Sequence, residues 1–278
     1  MESREKSEQE QSEEEVLKDE NKAGSFFGFV LLSEPRLDKE KLKQTLFEDW
    51  NIETDDGIPE GEDEERDAES KDNLVFSVGN NMVAFGLMPG IIPDEEAEYA
   101  AQKNYLWRGA LEKTKEHKAH VLVAVLGPDC DRMEKGELLV KLISSCCKQD
   151  GVLGIYTNGT VYQPEFYLDA AGMLKDDEFP ILNLIWFGLC QNENGVMGYT
   201  RGLLNFGKDE IEVESETATP REIRDFLLDI VSYVIIEDAA LKDGETIGFS
   251  EEQKLQITRS EGWNVEGMSL KIEYGTAE

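Results

Sequence analysis

The amino-acid sequence predicts an α+β fold, drawn as two ferredoxin-like halves, each ordered β-α-β-β-α-β, packed into one compact body. Three observations lead there. Short apolar runs of strand length alternate with longer stretches in which apolar residues recur at helical spacing. The order strand, helix, strand, strand, helix, strand occurs before residue 130 and recurs after residue 150. Hydrophobic residues make up 40% of the 278 residues and aromatics 9%, enough for a core despite a formal net charge of −32. A single mixed sheet is the alternative assembly of the same elements.

In the first half (residues 25–130), Gly28 to Leu32 is an apolar run of buried-strand length. Asp38 to Trp50 follows as a helix with Leu42, Leu46, Phe47 and Trp50 on one face. Leu74 to Gly79 and Met82 to Met88 flank Asn80-Asn81, a pair suited to the left-handed backbone of a tight hairpin turn. From Asp94 to about Lys118 the pattern is one long helix, with Asp94, Glu95 and Glu96 at its start and Lys113, Lys115 and Lys118 at its end, matching the helix dipole. Val121 to Leu126 then reads as a central strand closed by Gly127-Pro128.

A linking helix at 131–150 presents Leu138, Leu142 and Cys146 on one stripe. The second half, 151–278, opens with a strand from Val152 to Thr157 and a proline-led helix from Pro164 to Leu174. Ile181 to Leu189 reads as a strong strand, turned by Asn192-Glu193-Asn194-Gly195 into another from Val196. Thr219-Pro220-Arg221-Glu222 is a capping box opening a helix that carries Ile223, Phe226, Ile230, Tyr233 and Val234. Glu245 to Phe249, Lys254 to Thr258 and Ser269 to Tyr274 supply late strands.

The acidity is concentrated. Residues 1–22 hold nine acids against four bases with almost no apolar surface, so 1–24 is expected to be a disordered acidic tail. Residues 53–72 hold eleven acids against two bases and read as a long acidic surface loop. The remaining chain still carries a net −18. That balance disfavours nucleic acid, which demands clustered Lys and Arg, and anionic membrane for the same reason. It favours a basic protein partner. The chain begins with no basic, apolar leader, and Cys130, Cys146, Cys147 and Cys190 form no C-x-x-C pair, so cytoplasmic free thiols are expected.

Both histidines fall in Glu116-His117-Lys118-Ala119-His120. On a continuing helix His117 and His120 would share a face, with Glu112, Glu116 or another carboxylate completing a metal site. A histidine closing a helix needs no metal, and the strand at Val121 starts at once. Asp55-Asp56-Gly57 with Glu60, Glu62 and Asp63 suggests calcium but lacks the EF-hand register. The most distinctive stretch is Gly198-Tyr199-Thr200-Arg201-Gly202 with Phe206-Gly207-Lys208-Asp209-Glu210. There Tyr199, Thr200, Arg201, Asp209 and Glu210 are candidate binding residues, Arg201 as a carboxylate anchor, against a hairpin corner whose Arg pairs internally. Trp107 is a further candidate binding residue, against a role in the core. No phosphate-loop, dinucleotide, nucleophile-elbow or zinc-protease motif occurs, so no catalytic residue and no cofactor is assigned.

Read together, Gly28–Leu32, Met88–Pro93, Leu106-Trp107, His117–His120, Gly154–Tyr156, Tyr199–Gly202, Phe206–Glu212 and Asp243–Phe249 resemble, in order and spacing, the bacterial domain-of-unknown-function family 4261 (DUF4261). The likeness runs from about residue 26 to 260. It implies a soluble, intracellular bacterial protein and carries no activity to transfer. Thr200, Gly202, Phe206, Gly207, Glu210 and Glu212 are also similar to suppressor-of-fused-like domains, protein-binding modules that include bacterial immunity proteins. The functional expectation is therefore a non-catalytic, immunity-like protein-binding module with an acidic surface. A metal-assisted enzyme using His117 and His120 is the alternative, and a scaffold protein a third.

Overall fold

Apolar residues at both parities of a strand favour cover on both faces of its sheet, and this chain has several such strands. The computed structural model describes residues 26–54, 73–127, 131–193, 195–248 and 254–275. The tail at 1–24, almost all of the 53–72 loop with its calcium-like run, and Cys130 lie outside these residues. Strand β1 (Phe26–Leu32) leads into helix α1 (Lys39–Trp50), capped by the Asp38 carboxylate accepting from the Lys41 amide. Of the four residues expected on its inner face, Leu42 and Leu46 are buried, Trp50 packs partly against the core, and Phe47 is exposed. Strands β2 (Asn73–Val78) and β3 (Asn81–Pro89) pair through a two-residue turn. Its left-handed residue is Gly79, at φ 56, so the turn sits one residue earlier than the Asn80-Asn81 pair suggested.

The long helix expected over 94–118 is instead broken into α2 (Glu96–Gln102) and α3 (Ala110–Thr114). Asp94 and Glu95 take positive φ, 55 and 54, which no helix continues through. Asn104 makes the second break. Its Oδ1 accepts from the Leu106 and Trp107 amides while its Nδ2 donates to the Val161 carbonyl, so the chain turns there. Strand β4 (Ala119–Leu126) and helix α4 (Arg132–Cys146) follow. Strands β5 (Val152–Thr157) and β6 (Thr160–Tyr162) form a hairpin on Asn158-Gly159, both at positive φ, 49 and 69. Helix α5 (Pro164–Ala171) starts at its proline as expected. The run from Ile181 is not all strand: its first turn is helical, α6 (Ile181–Leu184), with buried Asn183 donating to the Tyr167 carbonyl. Strands β7 (Trp186–Asn192), β8 (Gly195–Arg201) and β9 (Glu210–Ser215) lead to helix α7 (Pro220–Ile236). Its Thr219–Glu222 capping box is formed reciprocally. Strands β10 (Thr246–Ile247), β11 (Leu255–Glu261) and β12 (Met268–Glu273) close the chain.

Two six-stranded sheets result, ordered β2-β3-β4-β1-β5-β6 and β10-β11-β12-β9-β8-β7. The fold is α+β, but the first sheet does not have the ferredoxin-like order. A split β-α-β unit places one strand between two parallel strands joined by a helix. Here two strands, β3 and β4, separate β1 from β2, and every pair from β2 across to β1 is antiparallel. The first sheet also takes in β5 and β6, so the sheets divide after Tyr162 rather than near 150. In the second sheet only β9 and β12 pair in parallel, and α7 crosses the β7–β9 face between them. One apolar core joins the two sheets, with α4 at its centre and Phe206 meeting Phe26 at 5.4 Å and Phe179 at 5.8 Å. Among the described residues no helix is long and apolar enough to cross a membrane.

Candidate functional site

Side chains of β1, β3 and β4 alternate between the shared core and the opposite, outer face of the first sheet. Val30, Val83, Phe85, Val121 and Val123 point into the core. The outer face is covered by α2 and α3 only over β5, β6 and the C-terminal end of β1. There Leu31, Ala97, Ala101, Ala110 and Val161 make a second, smaller core. Trp107 belongs to it, its ring lying 3.6 Å from where a Cβ on Gly154 would stand. It is a packing residue.

The two histidines serve the same cover. The His117 ring is buried, its Nε2 accepting from the Ile92 amide at 2.9 Å and its Nδ1 donating to the Thr114 carbonyl. Those partners require the neutral imidazole with the proton on Nδ1. The buried carboxyl of Glu98 lies 3.8 Å from that nitrogen. His120 stands on β4 rather than on a helix, its Nδ1 at 3.2 Å from the Gly90 carbonyl and its ring edge-on to Phe29. Burial pushes its pKa down, against the pull of that carbonyl. Together the histidines pin the Pro89–Pro93 connector, so the Met88–Pro93 and His117–His120 segments are partners in the fold. Glu116 is half exposed and pairs with Lys113 at 2.9 Å, away from both rings' hydrogen bonds. Among the described residues no three His, Cys, Asp or Glu side chains converge where they could hold a metal ion.

The Tyr199–Glu210 stretch is brought together by β8 and β9. Tyr199 lies across Gly188, where a Cβ would collide with its ring. Thr200 is fully buried, donating to Glu210 Oε2 at 2.6 Å and accepting from the Ile211 amide at 2.8 Å. Glu210 Oε1 accepts from the Gly202 amide at 2.7 Å. Burial raises the Glu210 pKa, and the donors from Thr200 and Gly202 only partly offset it. Arg201 stacks 5.8 Å from Tyr199 and donates to the Asn264 carbonyl at 2.8 Å. Asp209 is not part of this group: it forms a two-pronged pair with Arg259 of β11 at 2.7 and 3.1 Å.

Next to Tyr199 on the same face is a centre that sequence reasoning knew only as a pattern position. Glu212 is fully buried and accepts from Lys271 (2.8 Å), Ser269 (2.7 Å) and the Trp263 and Asn264 amides (2.8 and 2.6 Å). Burial opposes its charge, yet these donors hold the carboxyl below its ordinary value. Lys271 also donates to Ser269 and to the Glu261 carbonyl, each at 2.7 Å, and Trp263 covers it at 4.5 Å. Lys271, Ser269 and Asn264 could not be tied to Glu212 from the chain, since they lie more than 50 positions away. The network seals the 262–267 loop onto the sheet and commits the Glu212 carboxylate and the Lys271 ammonium to one another. Cys146 and Cys147 are poor nucleophiles: burial pushes Cys146 up to about 12 and Cys147 up as well.

Among the described residues, what stays open is the outer face of the first sheet over β2, β3, β4 and the start of β1. Its outward positions are Asn73, Val75 and Ser77 on β2, then Met82, Ala84, Gly86 and Met88 on β3. Leu122, Ala124 and Leu126 on β4 and Phe27 and Phe29 on β1 complete it. None is Asp, Glu, Lys or Arg. Phe27, Met82, Met88 and Leu126 are 41 to 48% exposed. Asp94, Glu95 and Glu96 stand exposed at the margin, where Glu96 shares a hollow of about 290 Å³ with Phe27 and Phe29. The signal for this face was present in the chain, as runs such as Met82–Met88 and Val121–Leu126 that are apolar at both parities.

Residues 199–273 match the family model described as Domain of unknown function (DUF4261), which supports the resemblance. The matched stretch holds Thr200, Arg201, Glu210 and the Glu212–Lys271 centre, and it runs past residue 260, where the sequence reading ended the likeness. The Met88–Pro93 and His117–His120 segments lie outside it. No curated protein matches the chain, and no solved structure does.

Proposed function

We propose that this protein is a non-catalytic binding module that seats a cationic, amphipathic element of a partner protein on the open face of its first sheet. One observation carries the reading: a contiguous face without a charged residue in a chain of net −32, with acids at its margin. Monomeric proteins rarely leave a sheet face of this composition bare, and contiguous apolar patches rimmed by polar residues are where partners dock. The apolar centre would supply burial and the acidic rim would favour Lys and Arg at the partner's edge, raising the association rate. The committed state of His117, Glu210, Glu212 and Lys271 speaks against acid–base or metal chemistry at those residues. An immunity role is one form of this reading, in which the basic partner is a toxin.

The test uses two designed amphipathic helical peptides, alike in their leucine face and carrying either lysine or glutamate elsewhere, titrated calorimetrically into the full chain. The lysine peptide is expected to bind and to weaken as salt rises from 50 to 500 mM, on the order of 10-fold. Ala84→Arg, which sets a cation amid the face, should abolish binding with the circular dichroism spectrum and thermal midpoint unchanged. Equal binding of both peptides, or binding that survives Ala84→Arg, would overturn the proposal.

A further inference from the structure

Where the two sheets meet on the side of α7, the wall between them is not closed. A cavity of about 270 Å³ lies there, just under the usual range for small-molecule sites, about 300–1,000 Å³. Its walls are ring faces: Tyr105 and Trp186 lie 5.4 Å apart, Tyr162 and Trp186 6.0 Å, and Tyr162 and Phe166 6.0 Å and nearly parallel. Leu228 of α7 closes one side. The cavity has two polar features, one of them without a partner. The Tyr162 hydroxyl is buried with no hydrogen-bond partner among the described residues, on a side chain that is 2% exposed. Arg224 lines the mouth on α7, where it and Arg221 share the single carboxylate of Asp225, two guanidinium groups to one acid.

We infer that this cavity binds a flat, apolar carboxylate, its ring system between Tyr105, Tyr162, Phe166 and Trp186 and its carboxylate against Arg224. Flat rings favour offset stacking and edge contacts with a planar ligand. A guanidinium at the mouth takes the carboxylate through charge-assisted hydrogen bonds while the hydrophobic body leaves water. Tyr162 offers a donor that would otherwise remain buried and unpaired, at a cost folding alone does not recover. The site is independent of the open sheet face, and nothing in the proposed docking function requires it.

The probes are 2-naphthoate and its neutral isostere 2-naphthamide, titrated into the full chain and followed calorimetrically and by quenching of tryptophan emission. Wild type should prefer 2-naphthoate by about 10-fold, the size of a charge-assisted contact. Arg224→Gln, at a half-exposed position that leaves the core intact, should bring the two probes within about twofold by weakening 2-naphthoate alone. Leu228→Trp, which fills the cavity, should remove binding of both. Absence of binding to wild type, equal affinity for the two probes in wild type, an unchanged preference in Arg224→Gln, or tighter binding of octanoate than of 2-naphthoate would overturn the inference.

Discussion

The outer faces of the two sheets solve opposite problems. The second sheet places Tyr199, Arg201, Glu212 and Lys271 side by side on its outer face, and the chain covers that centre with its own 262–267 loop. A buried carboxylate and ammonium are tolerable only when every remaining donor and acceptor is paired, and backbone amides from a lid are a way to pair them. The first sheet places alanine, glycine, methionine and phenylalanine on its outer face, much of which the described residues leave bare. Exposed apolar surface carries a modest penalty per unit area and no unpaired group, so a fold can leave it open until something arrives to cover it. Charge forces immediate closure. Apolar surface permits delay.

The contrast is broken most severely at Glu212. Glu212→Ala leaves Lys271 buried without its counter-charge and should cost about 3–5 kcal/mol in urea denaturation. Next comes a pair of glycines at equivalent outer positions. Gly188→Ala drives a Cβ into the Tyr199 ring and should cost about 1–3 kcal/mol. Gly86→Ala on the open face meets nothing nearer than Asn73 Oδ1 at 3.4 Å, and should instead be neutral or stabilise by about 0.5 kcal/mol. Similar costs for both glycines would mean that the first sheet is not open.

His117→Ala sharpens the boundary between covered and bare regions of the first sheet. It strips the buried Ile92 amide of its acceptor and should cost about 1–3 kcal/mol, with no dependence on added zinc. A zinc-dependent change in the melting midpoint of the wild type that vanishes in His117→Ala would restore the metal reading. The smallest effect is on pH dependence. The folded Glu212 carboxyl is held below its unfolded value, so its contribution is complete above about pH 4.5 and is lost as pH falls through the lower folded value. Glu210 is raised, so its contribution has the opposite sign, present at low pH and lost as pH rises through its folded value. Glu212→Gln should therefore flatten the acid loss of stability, and Glu210→Gln should steepen it. Parallel shifts in the two variants would contradict the assignment.

Local chemistry was legible where one short segment decides the outcome. The Thr219–Glu222 box, the Asp38 start of α1 and the Leu138–Leu142–Cys146 stripe of α4 all appear in the structure, because capping and helical periodicity act over one or two turns. The helix over 94–118 failed for a reason only the fold supplies: Asn104 gains three hydrogen bonds, one to Val161, by ending it. The Asn158-Gly159 hairpin carries a local turn signal too, a few residues before the proline that opens α5. Strand order could not be read, because β1 and β4 pair across nearly a hundred residues and many antiparallel orders suit the same elements.

The sequence by itself determined the α+β class, most of the elements, the excess of negative charge and the runs that are apolar at both parities. Tertiary structure decided which of those apolar faces are covered, that His117 and His120 hold a connector, and that Glu212 meets Lys271. Composition and periodicity are properties of neighbours along the chain. The buried charge pair joins residues 59 positions apart and the bare sheet face joins strands paired across 30 to 99 positions, and only folding sets which of them meet.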